Sequence, residues 1–425
     1  MAYQEKNNKL KDILMNLLSS IFSCKVLGFI FLVFSMSFPR AYGEIKLIFL
    51  VLIVIGIIIE TTHKKIEHFD IFKFFACFSL INLLWLIVGG IYGNPEDALI
   101  SSFRVFVIYP LIISLLWMKA HQFKYKEFIH SAVILSSWII STIIIITTIS
   151  AYSGASFFPE SFIKENLLIV GIHEGYSQIL SHNIGSLFFI VGYLSFYVLI
   201  SKKSWTSTEM MTLLYCIAAA ILSSRRALYL VIILSPILII LVNKFIFLSK
   251  ENVLYKTVKY IFFIVTLIVI YTGYLVSINT YEFNGFTERF FSLYVDETGG
   301  GARYDQASLL ISGFMEYPLF GSGIGGLIGM VRSEESPWLF ELTYLQLLFN
   351  FGLIGCLLFI LLFSVAINKI RNNSSHYLYS IEDKSMLTGI FSLMLGSISN
   401  PYLGSFDFLL FIGIIPFLMS KCQLR

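Results

Sequence analysis

Apolar runs long enough to cross a bilayer recur along this chain from near residue 22 to residue 420. Because an α-helix rises about 1.5 Å per residue, roughly 20 residues cover a hydrocarbon core of about 30 Å. The runs are continuous instead of alternating, which favours helices over the strands of a transmembrane barrel. Only 13% of the residues are charged, about half the ~25% of soluble domains, so much of the apolar surface is expected to face lipid.

These runs predict an all-α integral membrane protein, a polytopic bundle of about twelve transmembrane helices that forms one domain over residues 1–425. Two long external loops are expected, at about 153–183 and 279–338, and the later one is expected to carry short surface helices. The first run has no small-residue cleavage site, so no cleavable signal peptide is expected. The predicted spans are 22–38, 45–60, 72–92, 99–118, 129–152, 184–201, 209–224, 227–243, 260–278, 339–367, 386–399 and 406–420.

The distribution of basic residues predicts that both termini are cytoplasmic. With that orientation, 19 of the 30 lysines and arginines fall on cytoplasmic segments, and 17 of these 19 are lysines. Seven of the nine external basic residues are arginines, whose planar guanidinium binds phosphate or carboxylate in a bidentate way. An anionic ligand at the outer leaflet is one interpretation of this bias, and ordinary salt bridges are the other. The nine residues are Arg40, Lys46, Arg104, Lys164, Arg225, Arg226, Arg289, Arg303 and Arg332.

The segment Ser223-Ser224-Arg225-Arg226 joins the seventh and eighth spans on the outside. Short flanking spans place both arginines below the membrane surface, where an ionisable group is costly and marks a functional site. Interfacial snorkelling is the alternative for either one. Arg104 lies in the fourth span, where it either pairs with Asp97 or faces the same anionic site.

The second external loop contains a glycine run at residues 299–301, just before Arg303. Helical periodicity follows through Glu316, and Tyr317-Pro318 ends the pattern. Arg303 is therefore expected near the N-terminus of a surface helix. There its charge would add to the preference of the helix itself for anions.

Residues 321–326, GSGIGG, match the GxGxxG pattern of dinucleotide-binding folds. No predicted strand precedes them and no βαβ unit surrounds them, so we reject that interpretation. A tight backbone turn beside the membrane is the prediction instead.

Glu341 is predicted to open the tenth span, with Tyr344 one turn further along the same face. A partly desolvated carboxylate at this position would suit general-base chemistry. A helix N-terminal acid favoured by the helix dipole is the plainer alternative. His173 and His182 fit no zinc-ligand spacing, so no metal site is predicted.

Three blocks of sequence resemble, in order and on the same face, the superfamily of Wzy-type O-antigen polymerases and lipid A–core O-antigen ligases. Residues 224–228, SRRAL, resemble the SR-small-x-hydrophobic motif, with Arg226 where a glycine is common. Residues 302–326, ARYDQASLLISGFMEYPLFGSGIGG, are similar to the arginine, helix and Pro-Leu-x-Gly-x-Gly block. Residues 341–355, ELTYLQLLFNFGLIG, are similar to the HNxYLxxxxxxGxxG block.

The resemblance implies a glycosyltransferase of the bacterial inner membrane that polymerises undecaprenyl-diphosphate-linked oligosaccharide repeat units on the periplasmic face, for O-antigen or capsule. It assigns diphosphate binding to Arg225, Arg303 and Arg226, and activation of the acceptor hydroxyl to Glu341. Position alone adds Arg104 to the diphosphate site and Tyr344 as a substrate-positioning residue. No cofactor or metal is expected, because arginines can stabilise the leaving diphosphate.

The expected partners are the lipid-linked oligosaccharides, the lipid bilayer and a chain-length regulator, with no nucleic acid. The first alternative function is a ligase that transfers glycan to lipid A–core; Glu341 stands where ligases have histidine, which favours a polymerase. The second alternative is a flippase or transporter of lipid-linked glycans. Inverted repeats and charges near the bilayer midplane would indicate a transporter, and the sequence has neither feature.

Overall fold

The computed structural model describes residues 24–61, 68–120, 125–173, 176–201, 207–249, 300–331, 336–375 and 377–423, with the short piece 257–261 and the single positions 255, 266 and 334. Within these ranges the chain is helical apart from one two-stranded hairpin and the connecting turns. It is a predominantly helical membrane protein.

Five of the described helices are long and apolar enough to cross a membrane, by length and composition. They are Phe69–Ile91, Glu96–Ala120, Tyr125–Ser153, Arg226–Ile246 and Thr343–Ser374. Shorter apolar helices accompany them at Lys25–Ser37, Ile184–Ile200, Thr208–Ser223 and Phe406–Met419.

The helices are numbered here in chain order. They are α1 (Cys24–Ser37), α2 (Gly43–Thr61), α3 (Phe69–Ile91), α4 (Glu96–Phe103), α5 (Tyr109–Ala120), α6 (Tyr125–Ser153), α7 (Glu160–Glu165), α8 (Ile184–Ile200), α9 (Thr208–Ser223), α10 (Arg226–Leu241), α11 (Gly300–Glu316), α12 (Thr343–Ser374), α13 (Ile381–Gly396), α14 (Phe406–Ile412) and α15 (Ile414–Met419). A π-helical turn, Arg104–Ile108, joins α4 to α5, and another, Val242–Ile246, extends α10.

Helices lie at eleven of the twelve predicted span positions. The remaining position, 260–278, falls outside the described residues except for 260, 261 and 266. Within the described part of the chain, five helices meet both the length and the composition criteria for crossing a membrane. The total of about twelve spans and the cytoplasmic location of both termini therefore stay predictions.

The first predicted external loop, 153–183, contains a short β-hairpin that the sequence did not predict, beside the otherwise helical fold. After the short helix α7, strands β1 (Ile169–His173) and β2 (Tyr176–Leu180) pair in antiparallel fashion, with Ile169 opposite Leu180. Each strand has only five residues, too few for an alternating apolar pattern to stand out in the sequence.

Two helices begin at side-chain caps that the sequence encodes locally. Ser207 Oγ accepts a hydrogen bond from the Met210 amide at 3.4 Å, at the start of α9. At α13, Ser380 Oγ accepts from the Asp383 amide while the Asp383 carboxylate accepts from the Ser380 amide, which completes a capping box. Such caps typically stabilise a helix by about 1 kcal/mol.

Helix α8 lies at the centre of the bundle, and every residue from Ile184 to Tyr197 is buried. It packs closely against α13, because a Cβ on Gly192 would lie 2.0 Å from Ser392 Oγ and a Cβ on Gly389 would lie 2.8 Å from the Phe189 ring. Small residues allow helix backbones to approach in this way, as is common in membrane proteins.

Helix α12 is interrupted at Gly352, whose φ of 60° and ψ of −168° are not helical. A non-helical residue inside a helix leaves carbonyls before it and amides after it without their helical partners. An unpaired backbone group is costly in a bilayer, so a break at this depth requires partners from another segment.

Residues 317–326, called the glycine turn here, supply those partners. The turn donates two backbone hydrogen bonds to α12 and accepts two from it. The bonds, with the donor first, are Ser322–Phe349 (2.9 Å), Gly323–Asn350 (3.0 Å), Leu353–Pro318 (2.9 Å) and Ile354–Leu319 (3.0 Å).

The opposite side of the glycine turn contacts the end of α3. The Ile324 amide donates to the Trp85 carbonyl at 3.1 Å, and Trp85 Nε1 donates to the Phe320 carbonyl at 2.6 Å. Gly323 packs directly on the backbone of Gly89. Three glycines of the turn, Gly321, Gly323 and Gly325, have φ between 70° and 87°, so the segment is a tight backbone turn.

Gly323→Ala is expected to destabilise the protein, because a Cβ there would lie 2.2 Å from the Gly89 nitrogen and φ is +75°. The expected loss exceeds about 2 kcal/mol and would lower the midpoint of thermal unfolding of the purified protein in detergent. Gly329→Ala is the matched control, since a Cβ at that position meets no atom within 4 Å. Equal midpoints for the two variants would contradict the role assigned to the turn.

Candidate functional site

Arg303 and Glu341 form an ion pair between α11 and the segment that leads into α12. Arg303 Nε donates to Glu341 Oε2 at 2.8 Å, and the two side chains are 41% and 14% exposed. Leu310 of α11 packs with Phe340 and Phe349 beneath this pair. The predicted proximity of these two residues at one site is therefore present in the structure.

Gln306 fixes the backbone at Glu341 and was missed by sequence reasoning. Its side-chain oxygen accepts hydrogen bonds from the amides of Glu341 and Leu342 at 3.0 and 3.2 Å, and its side chain is buried. Gln306 follows Arg303 by three residues, which places both on one face of α11. That spacing is the sequence signal that could have identified it.

The prediction that Glu341 opens the tenth span is wrong by two residues. Helix α12 begins at Thr343, with Leu342 as its N-cap. Gln306 occupies the amides of Glu341 and Leu342, and Thr343 Oγ1 donates to the Asn400 carbonyl at 2.8 Å. These contacts hold Glu341 in a bend just before α12, so the carboxylate is not a plain first-turn acid.

Tyr344 lies one residue inside α12 and its hydroxyl already has a partner. It donates to the Met394 carbonyl near the end of α13 at 2.7 Å, while the ring stays exposed. The hydroxyl therefore joins two helices, and only the exposed ring is left to contact a ligand.

Arg225 is placed by the sharp turn between α9 and α10. Ser224 has a left-handed φ of 56° and ends α9, and Arg225 is the N-cap of α10. The half-buried Arg225 side chain donates from Nε to the Ile179 carbonyl of β2 at 2.9 Å. Arg226 begins α10 and is exposed.

Tyr402 follows a segment that contacts the start of α12, where Thr343 Oγ1 donates to the Asn400 carbonyl. Sequence reasoning missed Tyr402. It lies in the short turn between α13 and α14. Burial raises the pKa of Tyr402, while the charges of Arg225 and Arg40 oppose that rise and the charge of Glu341 adds to it. The hydroxyl therefore stays protonated, in a place where both an arginine from α10 and the Glu341 carboxylate act on it.

Arg104 is not brought into this group. It is exposed at the first residue of the π-helical turn after α4. Among the described residues, neither the predicted alternative ion pair with Asp97 nor a contact with Arg225, Arg303 or Glu341 is present. The turn that follows is held from α3 instead, where Ser79 Oγ donates to the Val107 carbonyl at 3.1 Å.

His182 lies in the turn just before α8, close to two basic residues. Burial, with the charges of Arg40 and Lys46 acting in the same direction, lowers the pKa of His182 to about 4. The imidazole is therefore neutral near pH 7. In the described part of the chain, no three His, Cys, Asp or Glu side chains gather to hold a metal ion.

Arg225, Arg303, Glu341 and Tyr402 together form what we call the Tyr402 site. It combines two guanidinium groups, one carboxylate and one protonated phenol, so it can bind an anion and accept a proton next to it. No protein-family model matches this sequence, and no curated protein matches it significantly.

Proposed function

We propose that this protein is a membrane glycosyltransferase that polymerises undecaprenyl-diphosphate-linked oligosaccharide repeat units. We place it in the bacterial inner membrane with the Tyr402 site facing the periplasm, where it would extend O-antigen or capsular polysaccharide. The observation that supports this most is the Arg303–Glu341 pair at 2.8 Å, half open to solvent, with Arg225 acting on the adjoining Tyr402.

Arg303 is well placed to bind a diphosphate without losing its position. Its contact with Glu341 uses Nε alone, and within the described part of the chain the two terminal nitrogens have no protein partner. The guanidinium is 41% exposed, so a phosphate can approach those nitrogens in the bidentate geometry that arginine favours. Arg303 also sits in the first turn of α11, whose free amides add to the attraction for an anion.

The proposed reaction transfers the growing glycan from its lipid diphosphate to a hydroxyl of the next repeat unit. The acceptor oxygen forms a bond to the anomeric carbon, and the bond from that carbon to the diphosphate oxygen breaks. The electron pair leaves with the diphosphate, whose charge is met by Arg225 and Arg303. The hydroxyl proton passes to the Glu341 carboxylate.

The Arg303–Glu341 ion pair links binding of the donor diphosphate to the basicity of the Glu341 carboxylate. While Arg303 donates to Glu341, the carboxylate is a weaker proton acceptor, because a nearby cation stabilises its charged form. When the diphosphate draws the guanidinium toward itself, that stabilisation weakens and the Glu341 carboxylate becomes a stronger proton acceptor. Gln306 keeps the Glu341 backbone in place during this exchange through its two amide contacts.

Transfer of finished glycan to lipid A–core is the second candidate function, and it would use the same charges. Glu341 at the position where ligases carry histidine favours the polymerase. A chain-length regulator is the proposed protein partner. A flippase is disfavoured because Arg225, Arg303 and Glu341 lie at or just before helix starts and not in the middle of a membrane helix.

Deletion of the gene in its host is expected to leave a single repeat unit on the lipid A–core, without a ladder, when surface polysaccharide is separated on a gel. Complementation with Arg225→Ala or Arg303→Ala should restore little of the ladder, since each loses a charge-assisted contact equivalent to roughly 10- to 100-fold in rate. Lys164→Ala, which removes an exposed lysine of α7, should restore it fully. Complete loss of attached glycan would favour the ligase, and a normal ladder with both arginine variants would exclude the diphosphate site.

Glu341→Gln is expected to lower polymer formation by about 10²- to 10⁴-fold, because the amide keeps the shape but cannot accept the proton. Membrane fractions supplied with lipid-linked repeat units would report the rate. Tyr344→Phe is the control, since it removes only the hydroxyl bonded to the Met394 carbonyl and should change the rate by less than about 10-fold. A Glu341→Gln rate close to that of the wild type would rule out the carboxylate as base.

A further inference from the structure

The loop between α1 and α2 is held in a conformation that ordinary residues avoid. Arg40 has φ of 63° and Tyr42 has φ of 54°, both in the left-handed region that favours glycine. Such backbone persists only where surrounding contacts enforce it, and it is concentrated at functional sites. The contacts that enforce it here come from α14, at the far end of the chain.

Asp407 of α14 holds this loop with both carboxylate oxygens. Oδ2 accepts from the Arg40 backbone amide at 2.8 Å, and Oδ1 accepts from Lys46 Nζ at 2.7 Å. Lys46 also donates to the Phe38 carbonyl at 2.6 Å. The Lys46 and Asp407 side chains are each only 4% exposed, so this buried pair is neutral as a whole. It fixes the position of the Arg40 backbone.

The guanidinium of Arg40 is not part of that neutral pair. The Arg40 backbone amide donates to Asp407, whereas the exposed side chain donates from Nη2 to the Pro401 carbonyl. A carbonyl accepts the hydrogen bond without cancelling the charge. Pro401 directly precedes Tyr402, and the Arg40 charge acts on the Tyr402 hydroxyl together with those of Arg225 and Glu341.

We propose that Arg40 is a third diphosphate-binding residue of the Tyr402 site, contributed by the loop between α1 and α2. This inference rests on the function proposed above. Among the described residues, the charges of Arg40 and Arg225 act on the Tyr402 hydroxyl from the positive side and that of Glu341 from the negative side. A third guanidinium beside those of Arg225 and Arg303 suits a diphosphate diester, which has one negative charge on each phosphorus.

Binding of undecaprenyl diphosphate to the full-length protein in phosphatidylcholine nanodiscs tests this assignment. Arg40→Asn removes the charge with a residue that tolerates a left-handed φ, and we expect the Kd to rise about 10-fold or more. Arg40→Lys keeps the charge but loses the planar fork, so its Kd should rise less. Lys164→Asn, at an exposed site on α7, should bind like the wild type. Added phosphatidylglycerol should not compete if the ligand chemistry is that of a diphosphate.

The outcomes separate the two proposals. A weaker Kd for Arg40→Asn and for Arg303→Ala supports both, provided that thermal unfolding shows each variant folded; if Arg40→Asn unfolds, Arg40→Lys carries the test. Wild-type binding by both Arg40 variants, with weakened binding by Arg303→Ala, overturns the role of Arg40 and leaves the proposed function standing. A wild-type protein that fails to bind undecaprenyl diphosphate overturns both.

Discussion

The pairing of the glycine turn with the break in α12 is the contact on which the rest of the site depends. Helix α11 leads into this turn, and the turn is fixed between α3 and α12 by backbone hydrogen bonds. These backbone hydrogen bonds fix the axial position of α11 relative to α12. Arg303 reaches Glu341 only at that position, so the break in α12 determines the geometry of the charged groups.

Electrostatics follow from how each charge is paired. Lys46 and Asp407 are buried and compensate each other, as buried charges must. Arg303 and Glu341 are only partly buried, so water can replace either partner and the pair can open. The first pair therefore serves to fix a loop, whereas the second can exchange its partner for a ligand. This difference in burial is what lets neighbouring ion pairs have a structural and a chemical role.

Local features of the sequence predicted much of this arrangement. The apolar runs located most of the described helices, and the helical periodicity through Glu316 predicted a helix with Arg303 near its start, which α11 from Gly300 confirms. The capping box from Ser380 to Asp383 was not predicted, although its spacing is equally local. Those features depend on residues close together in the chain. The break at Gly352 was not predicted, because it is stable only with backbone partners from the glycine turn.

The roles of Arg40 and Tyr402 also could not be read from the sequence. The hydrogen bond from Arg40 to Pro401 joins residues 361 positions apart, and no local pattern marks such a contact. The external arginine bias did include Arg40, but it included Arg104 equally, and only the folded chain separates them. Tyr402 lies in a short connection between α13 and α14. The charged residues that act on it are distant in the sequence.

Reconstitution of the purified protein in liposomes tests the central claim most directly. Supplied with an undecaprenyl-diphosphate-linked repeat unit alone, the protein should build a ladder of lipid-linked oligomers and release one undecaprenyl diphosphate for each bond formed. Elongation that is abolished by Glu341→Gln would match the proposed chemistry. Repeat units that stay single, or that cross the bilayer without being joined, would contradict it.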